Sequence, residues 1–337
     1  MPPPVETMLN EVSNMKQQSK MKKMKNLHQR KSQLVDLYQQ AKTGNPWNKQ
    51  SLPEPLYPLY NNVNLSRKQM AQLSFSAIET SVLCGTCVGD SSLKINRGYR
   101  NARIQCRHST NQAAWFFWKW QLCLKLYSNG LNSMVLQKAD GFQKSNALGK
   151  LKITTHARED LTALYKLLCE QNKLVIKRKW LNHMNSYFLM TLWLDDGSLY
   201  NRRQGVFCLD STPYKQQVIL SAYLKRVWKI ETVVKPIKNV AADGKKQYRL
   251  FICNQKSLMA FLKLIAPIIP VKQMLYKIMF VPKNNLPLLQ RWTSEVVSLV
   301  QADFKDQLQH EYNKILRTYP RSEEDIVHAT FNKSSKI

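Results

Sequence analysis

Hydrophobic and polar positions fall into two successions that read alike. In the first, Asn64-Leu65-Ser66-Arg67-Lys68-Gln69 offers a capped helix start, and an apolar-rich stretch through Ile78 to Val88 predicts a helix that runs into Gly89-Asp90. Leu93 to His108 then alternates, breaks at Gly98 and carries basic or polar residues at most other positions, the pattern of a hairpin with one wet, cationic face. Trp115 to Leu126 reads as an aromatic-rich helix, Lys150 to Thr155 as a strand and Arg158 to Glu170 as a helix. In the second, Ser186 to Leu194 is an apolar helix running into Asp195-Asp196-Gly197. Arg202 to Leu209 alternates like a strand, Lys215 to Trp228 is amphipathic, Glu231 to Lys235 and Gln247 to Cys253 look like strands, and Gln255 to Ile265 is a closing helix. The acid ends Asp90 and Asp196 stand 106 positions apart, so the pattern is that of an internal duplication.

The flanks break the pattern. Residues 1–62 hold a Lys/Gln/Asn/Ser-rich run around Met15 to Lys31 and then Pro46, Pro53, Pro55 and Pro58, a composition that cannot offset its ordering entropy by burial. They read as a basic, flexible arm with one helix near Ser32 to Ala41. Between it and the C-terminal extension, 284–337, whose amphipathic stretch is Trp292 to Tyr312, the duplication divides into 63–180 and 181–283.

Charge narrows the partner. The 337 residues are 44% hydrophobic, enough for one sizeable core or two small ones, but 51 Lys plus Arg stand against 22 Asp plus Glu, a net charge of +29. Counterion release from a phosphate backbone offers such a chain a large, salt-dependent free energy, so nucleic acid is the expected partner. The longest apolar stretch, Leu258 to Val271, is interrupted by Lys263, Pro267 and Pro270 and is too short for a membrane span. Seven scattered cysteines and an amino terminus without a signal-peptide pattern point to a reducing compartment. Lys outnumbers Arg 36 to 15 and Asn is abundant, which hints at an A/T-rich genome, hence a chloroplast or mitochondrion.

The candidate chemistry lies at the two helix ends. An acid at the carboxyl end of an apolar helix opposes the helix dipole, costing about 0.3–1 kcal/mol even when exposed. Either Asp90 or Asp196 alone could be an ordinary turn residue, but the duplicated pair in a basic chain points to a cation between them. One carboxylate from each helix suits a hard divalent ion such as Mg²⁺. Gly85 and Gly89, four apart on one helical face, would let two helix backbones approach and bring the acids together. Cys84 and Cys87 form no zinc site by spacing, since a second pair is missing and Cys106-Arg107-His108 is poorly placed to complete one. Trp115, Phe116, Phe117, Trp118 and Trp120 could stack bases, but their helical spacing favours a core helix.

Leu83 to Ser91 and Leu189 to Gly197 resemble the two signature helices of single-chain LAGLIDADG homing endonucleases and intron maturases, in the subgroup ending in Gly-Asp and Asp-Asp-Gly. Tyr187-Phe188-Leu189, Leu199-Tyr200-Asn201 and the segment Ile268 to Lys277 extend the likeness, which covers about 64–283. The chain departs from the family at Cys84 and Cys87, at the missing second acid of the first motif and at Thr191. The resemblance implies an α+β fold of two pseudo-symmetric αββαββα repeats whose antiparallel sheets form a saddle over double-stranded DNA, in a monomer with internal pseudo-two-fold symmetry. It implies catalytic metal on Asp90 and Asp196 and a helping basic residue near the end of each repeat, at Lys277 and at Lys173 or Lys177. Lys94, Arg97, Arg100, Arg103 and Arg107, with Arg202 and Arg203 on the second side, suit phosphate and guanine contacts in the major groove. Two activities fit: a metal-dependent double-strand break that starts intron homing, or a maturase that binds its host intron RNA. Pairing the motifs without a gap sets Asp196 against Asp90 and Asp195 against Gly89, so Asp195 is expected to position rather than bind metal.

Overall fold

The computed structural model of the protein describes residues 29–30, 32–41, 43, 75–122, 134–137, 149–240 and 246–319. The helix start expected at Asn64 lies outside them. The first motif helix, α2 (Ala77–Val88), follows a capping box in which Ser76 and Glu79 satisfy each other's backbone N–H groups. After it come β1 (Ser91–Lys94), β2 (Arg103–Ser109), α3 (Ala113–Leu122), β3 (Met134–Gln137), β4 (Lys150–Thr154) and α4 (Glu159–Leu168). A two-residue hairpin, β5 (Cys169–Glu170) and β6 (Lys173–Leu174), and the short α5 (Arg178–Leu181) lead into the second motif helix, α6 (Ser186–Asp196). The order then repeats: β7 (Gly197–Tyr200), β8 (Gln204–Phe207), α7 (Tyr214–Trp228), β9 (Val233–Val240), β10 (Lys246–Ile252) and α8 (Gln255–Ile265). Both four-stranded sheets are antiparallel and share one topology, β1-β2-β4-β3 and β7-β8-β10-β9. This is the duplicated αββαββα arrangement of an α+β fold.

The motif helices form the central seam. Residues Thr80 to Val88 of α2 and Ser186 to Asp195 of α6 are buried all round, which suits only helices with neighbours on every side. Their backbones touch where glycine permits it. A Cβ on Gly85 would lie 2.8 Å from Phe188 O and 2.8 Å from Thr191 Cβ, and one on Gly89 would lie 2.7 Å from Asp195 Cβ. Thr191 is accommodated because the facing position is Gly85.

On β2, Ile104, Cys106 and His108 turn inward while Arg103, Gln105 and Arg107 turn out, so the alternation read in the sequence is the pleat itself. Gly98, at φ +82°, makes the turn before β2. The second hairpin differs from expectation. Its second strand begins at Gln204, and Arg202 and Arg203 sit in the turn, where Asn201 and Arg202 have φ of 48° and 58°. Strand β3 had no counterpart in the sequence reading. The helix expected near Ser32 to Ala41 is present over 32–41 as α1 and is packed: Leu34 and Ala41 are buried, Tyr38 meets Phe117 and Trp120 edge-on, and Gln121 Nε2 donates to its hydroxyl at 2.8 Å. The C-terminal amphipathic stretch is two helices, α9 (Leu286–Leu299) and α10 (Lys305–Thr318). No helix among the described residues is long and apolar enough to cross a membrane.

Candidate active site

Asp90 follows the C-cap Gly89 of α2 and Asp196 is the last residue of α6, so the close approach at Gly85 and Gly89 carries both acids to one end of the seam. Asp195, one residue earlier, points back into the protein. Its carboxylate is buried and accepts from Thr86 Oγ1 (2.7 Å), Trp115 Nε1 (2.6 Å) and Lys119 Nζ (2.8 and 3.0 Å to the two oxygens). Burial alone would raise the pKa of Asp195, but the Lys119 charge, His108 and the hydrogen bonds from Lys119 and Trp115 hold it below the ordinary carboxylate range. Burial likewise opposes the charge on Lys119, and Asp195 overrides it and holds the ammonium above its usual value.

His108 connects this pair to Asp90. Lys119 Nζ lies 2.7 Å from His108 Nε2, and an ammonium can only donate, so Nε2 accepts and the proton sits on Nδ1. Nδ1 then donates to Gln112 Oε1 (3.2 Å) and faces Asp90 Oδ2 at 3.4 Å. Burial and the Lys119 charge push the imidazole down to about 3, which keeps it neutral. Asp90, His108 and Asp195 have ligand atoms within 4.8 Å of one another, and among the described residues they are the group that could hold a metal by proximity. The donor set argues against that use. Lys119 already supplies the cation, and Asp195 is filled with donors.

Asp196 is different. Burial, then Asp90, then Asp195 push it up to about 8, and Asp90 itself is pushed up to about 6 by burial and Asp195. Two carboxylates that resist ionising together are hard oxygen donors lacking a countercharge, and a divalent cation between them fits that chemistry. Asp196 opens onto a cleft of about 490 Å³ that also reaches Arg202, Tyr276 and Lys277. Lys277 Nζ donates to the carbonyls of Leu194 (2.6 Å), Trp193 (3.3 Å) and Asp195 (3.3 Å), capping the negative end of α6. Burial holds its pKa below the usual lysine value despite the three acids.

Lys173 and Lys177 are not drawn into this centre. Lys173 is exposed on β6, and Lys177 pairs with Glu170. The buried cation beside Asp195 is Lys119, from the helix read as aromatic core. Lys94, Arg97, Arg100 and Arg107 are exposed and Arg103 half-buried beneath the Tyr99 ring. Register adds Lys150 and Lys152 to the same outer face, since Lys152 pairs with Arg107 and Lys150 with Ser109. On the second sheet Lys235 and Arg249 stand opposite one another, Arg249 tied to Asp210 by two contacts of 2.6 Å. Cys84, Cys87, Cys106 and Cys169 are buried, with thiols pushed up by burial, and Trp115 to Trp118 are core.

The sequence profile of the LAGLIDADG DNA endonuclease family matches residues 80–258, more than half of the chain and the segment that holds both acids. The chain belongs to this LAGLIDADG family. Among solved structures it is similar to the homing endonuclease I-WcaI bound to its DNA recognition sequence, at 20% identity and a TM-score of 0.54, covering 67% of this chain and 97% of that one. At that identity the likeness is one of fold, and it agrees with the duplicated topology. No curated protein matches the chain. Asp90 immediately precedes β1 and Asp196 immediately precedes β7, so the two acids stand at equivalent places in the two repeats, with Gly89 in the first where the second has Asp195.

Proposed function

We propose that this LAGLIDADG protein is a site-specific endonuclease that makes a divalent-metal-dependent double-strand break in a long DNA target, the activity that starts intron homing. The observation that carries this reading is the different treatment of neighbouring acids. Asp195 is neutralised inside the protein, while Asp90 and Asp196 are left at the helix ends with raised pKa values, and Asp196 lines a cleft. A divalent cation held there, Mg²⁺ by the hardness of the donors, would polarise a phosphoryl oxygen and acidify an attacking water. Asp90 and Asp196 would hold it, one from each repeat. His108 Nδ1 keeps Asp90 oriented, and Lys277 fixes the last turn of α6 so that Asp196 points into the cleft. The outer sheet faces, with Arg103, Arg107, Lys150 and Lys152 on one side and Lys235 and Arg249 on the other, supply cations for the backbone of double-stranded DNA.

The test is Mg²⁺-dependent linearisation of a plasmid carrying the intronless host allele, with Asp90→Asn and Asp196→Asn as controls. Both variants should bind the plasmid and fail to linearise it. Linearisation by either variant at the wild-type rate would remove that acid from the reaction. A wild-type protein that leaves the allele intact yet binds its host intron RNA tightly would be a maturase instead.

A further inference from the structure

The duplicated unit ends with α8, and the family match ends at residue 258, yet the Asp196 cleft has a wall contributed from beyond both. Helix α10 turns Leu308 and Ile315 into the core and packs on the turn of chain, Lys272–Ile278, that carries Lys277. Its seat is fixed. The Tyr319 hydroxyl donates to Pro282 O (2.8 Å) and accepts from Asn285 N (2.7 Å), and in α9 Trp292 Nε1 donates to Ile278 O (3.2 Å) with Phe280 edge-on to its ring. The face of α10 turned to the cleft carries Glu311 and Lys314, which line it together with Asp196, Arg202, Tyr276 and Lys277. Lys277 is committed to the α6 carbonyls. Lys314 is committed only to a solvent-exposed pair with Glu311, Nζ to Oε1 3.1 Å, and Gln307 Nε2 offers Glu311 a second donor at 3.1 Å. Such a pair opens at little cost.

We propose that α10 is a nucleic-acid-contacting wall of the active-site cleft, in which Lys314 exchanges Glu311 for a backbone phosphate of the DNA strand lying against Asp196. This rests on the endonuclease reading above and extends it to a segment outside the duplicated unit. A phosphate brought to Asp196 sits in a cleft whose rim includes Lys314, so its neighbours on the same strand pass that ammonium. Glu311, retained by Gln307, disfavours phosphate until Lys314 turns towards it. The contact belongs to the second repeat's cleft, which makes the two strands of a bound duplex unequal in their protein contacts.

The experiment measures binding of a mixed-sequence DNA duplex, by anisotropy over a range of salt, for the intact chain, Lys314→Ala, Glu311→Gln and the control Lys256→Ala, whose side chain lines a different cleft on α8. Acetylation of lysines with and without the duplex, read by mass spectrometry, locates the contact. Lys314→Ala should weaken binding several-fold and reduce the salt slope by about one, Glu311→Gln should tighten binding, and Lys314 should be shielded by the duplex while Lys256 is not. Unchanged affinity and slope in Lys314→Ala, with Lys314 acetylated equally in both states, would overturn the proposal while leaving the endonuclease reading standing. Loss of plasmid cleavage in the wild type with Lys314 still shielded would do the reverse. Failure of the wild type to bind duplex at low salt would remove both.

Discussion

Replacing Asp195 by Asn should damage the fold far more than the chemistry. The carboxylate is the partner of a buried lysine, and removing one member of such a pair costs about 3–5 kcal/mol because the other charge is left uncompensated. Asn keeps an oxygen for Trp115 Nε1 and a donor for Thr86 Oγ1, so most of the loss traces to Lys119. For a domain of this size each kcal/mol lowers Tm by about 2–4 °C, which predicts a drop of about 6–20 °C. Lys119→Met strands Asp195 instead and should cost a similar amount. The double variant Lys119→Met/Asp195→Asn removes the charge and its countercharge together, so it should be more stable than the sum of the singles by about 2 kcal/mol or more. Denaturant unfolding of the four proteins measures this directly. Single effects that simply add in the double variant, or an Asp195→Asn protein within about 1 kcal/mol of the wild type, would refute the buried pair. Below its melting temperature Asp195→Asn should still cut DNA, and Asp196→Asn should not.

Further outcomes follow from the same geometry. Burial and neighbouring acids raise Asp90 and Asp196 above their unfolded values, so the folded state binds more protons between the unfolded and folded pKa values and metal-free stability should fall as pH rises through about 6 and about 8. Asp196→Asn should flatten that fall, and a flat wild-type profile would contradict it. Mg²⁺ at about a hundred times its Kd should raise wild-type stability by about 2.7 kcal/mol, seen as a Tm increase that Asp90→Asn and Asp196→Asn lack. Gly89→Ala should cost about 1–3 kcal/mol, since its methyl would meet Asp195 Cβ at 2.7 Å, and equal stability by unfolding would show the seam to be slack. Deleting residues 1–28, with Lys16, Lys20, Lys22, Lys23 and Lys25, should weaken DNA binding and its salt slope alone. Deleting 1–60 should also destabilise the protein, because buried Leu34 is lost and Tyr38 no longer covers Phe117 and Trp120.

The acid ends and the strand alternation were legible because they depend on local period: Asp90 and Asp196 close two apolar runs, and Arg103, Gln105 and Arg107 keep parity on β2. Lys119 and His108 were harder because their meaning depends on burial. A signal existed for each. Lys119 interrupts an otherwise aromatic helix, so an all-round buried α3 obliges it to find an acid, and His108 shares the inward parity of Ile104 and Cys106. Lys173 and Lys177 came from position relative to a motif, and position cannot show that Lys173 lies exposed on a short hairpin while Lys177, at the start of α5, pairs with Glu170. The extension read as one stretch because Trp292 to Tyr312 keeps its amphipathic period across the bend at Val300 to Phe304.

The contact of Gly89 with Asp195 decides which halves can pair. Were two copies of the second half to associate through their motif helices, an Asp195 would face an Asp195 where the seam has room for a glycine, and neither would find a Lys119. Two copies of the first half would set Gly89 against Gly89 and bury two unanswered lysines. Self-pairing of the second half is opposed sterically and electrostatically and that of the first half electrostatically, whereas the mixed pairing gives Asp195 its Lys119, so the two repeats carry a complementary lock and key at the point of nearest approach. Separated halves of this chain should therefore reassemble with one another in a mixture and remain unpaired alone.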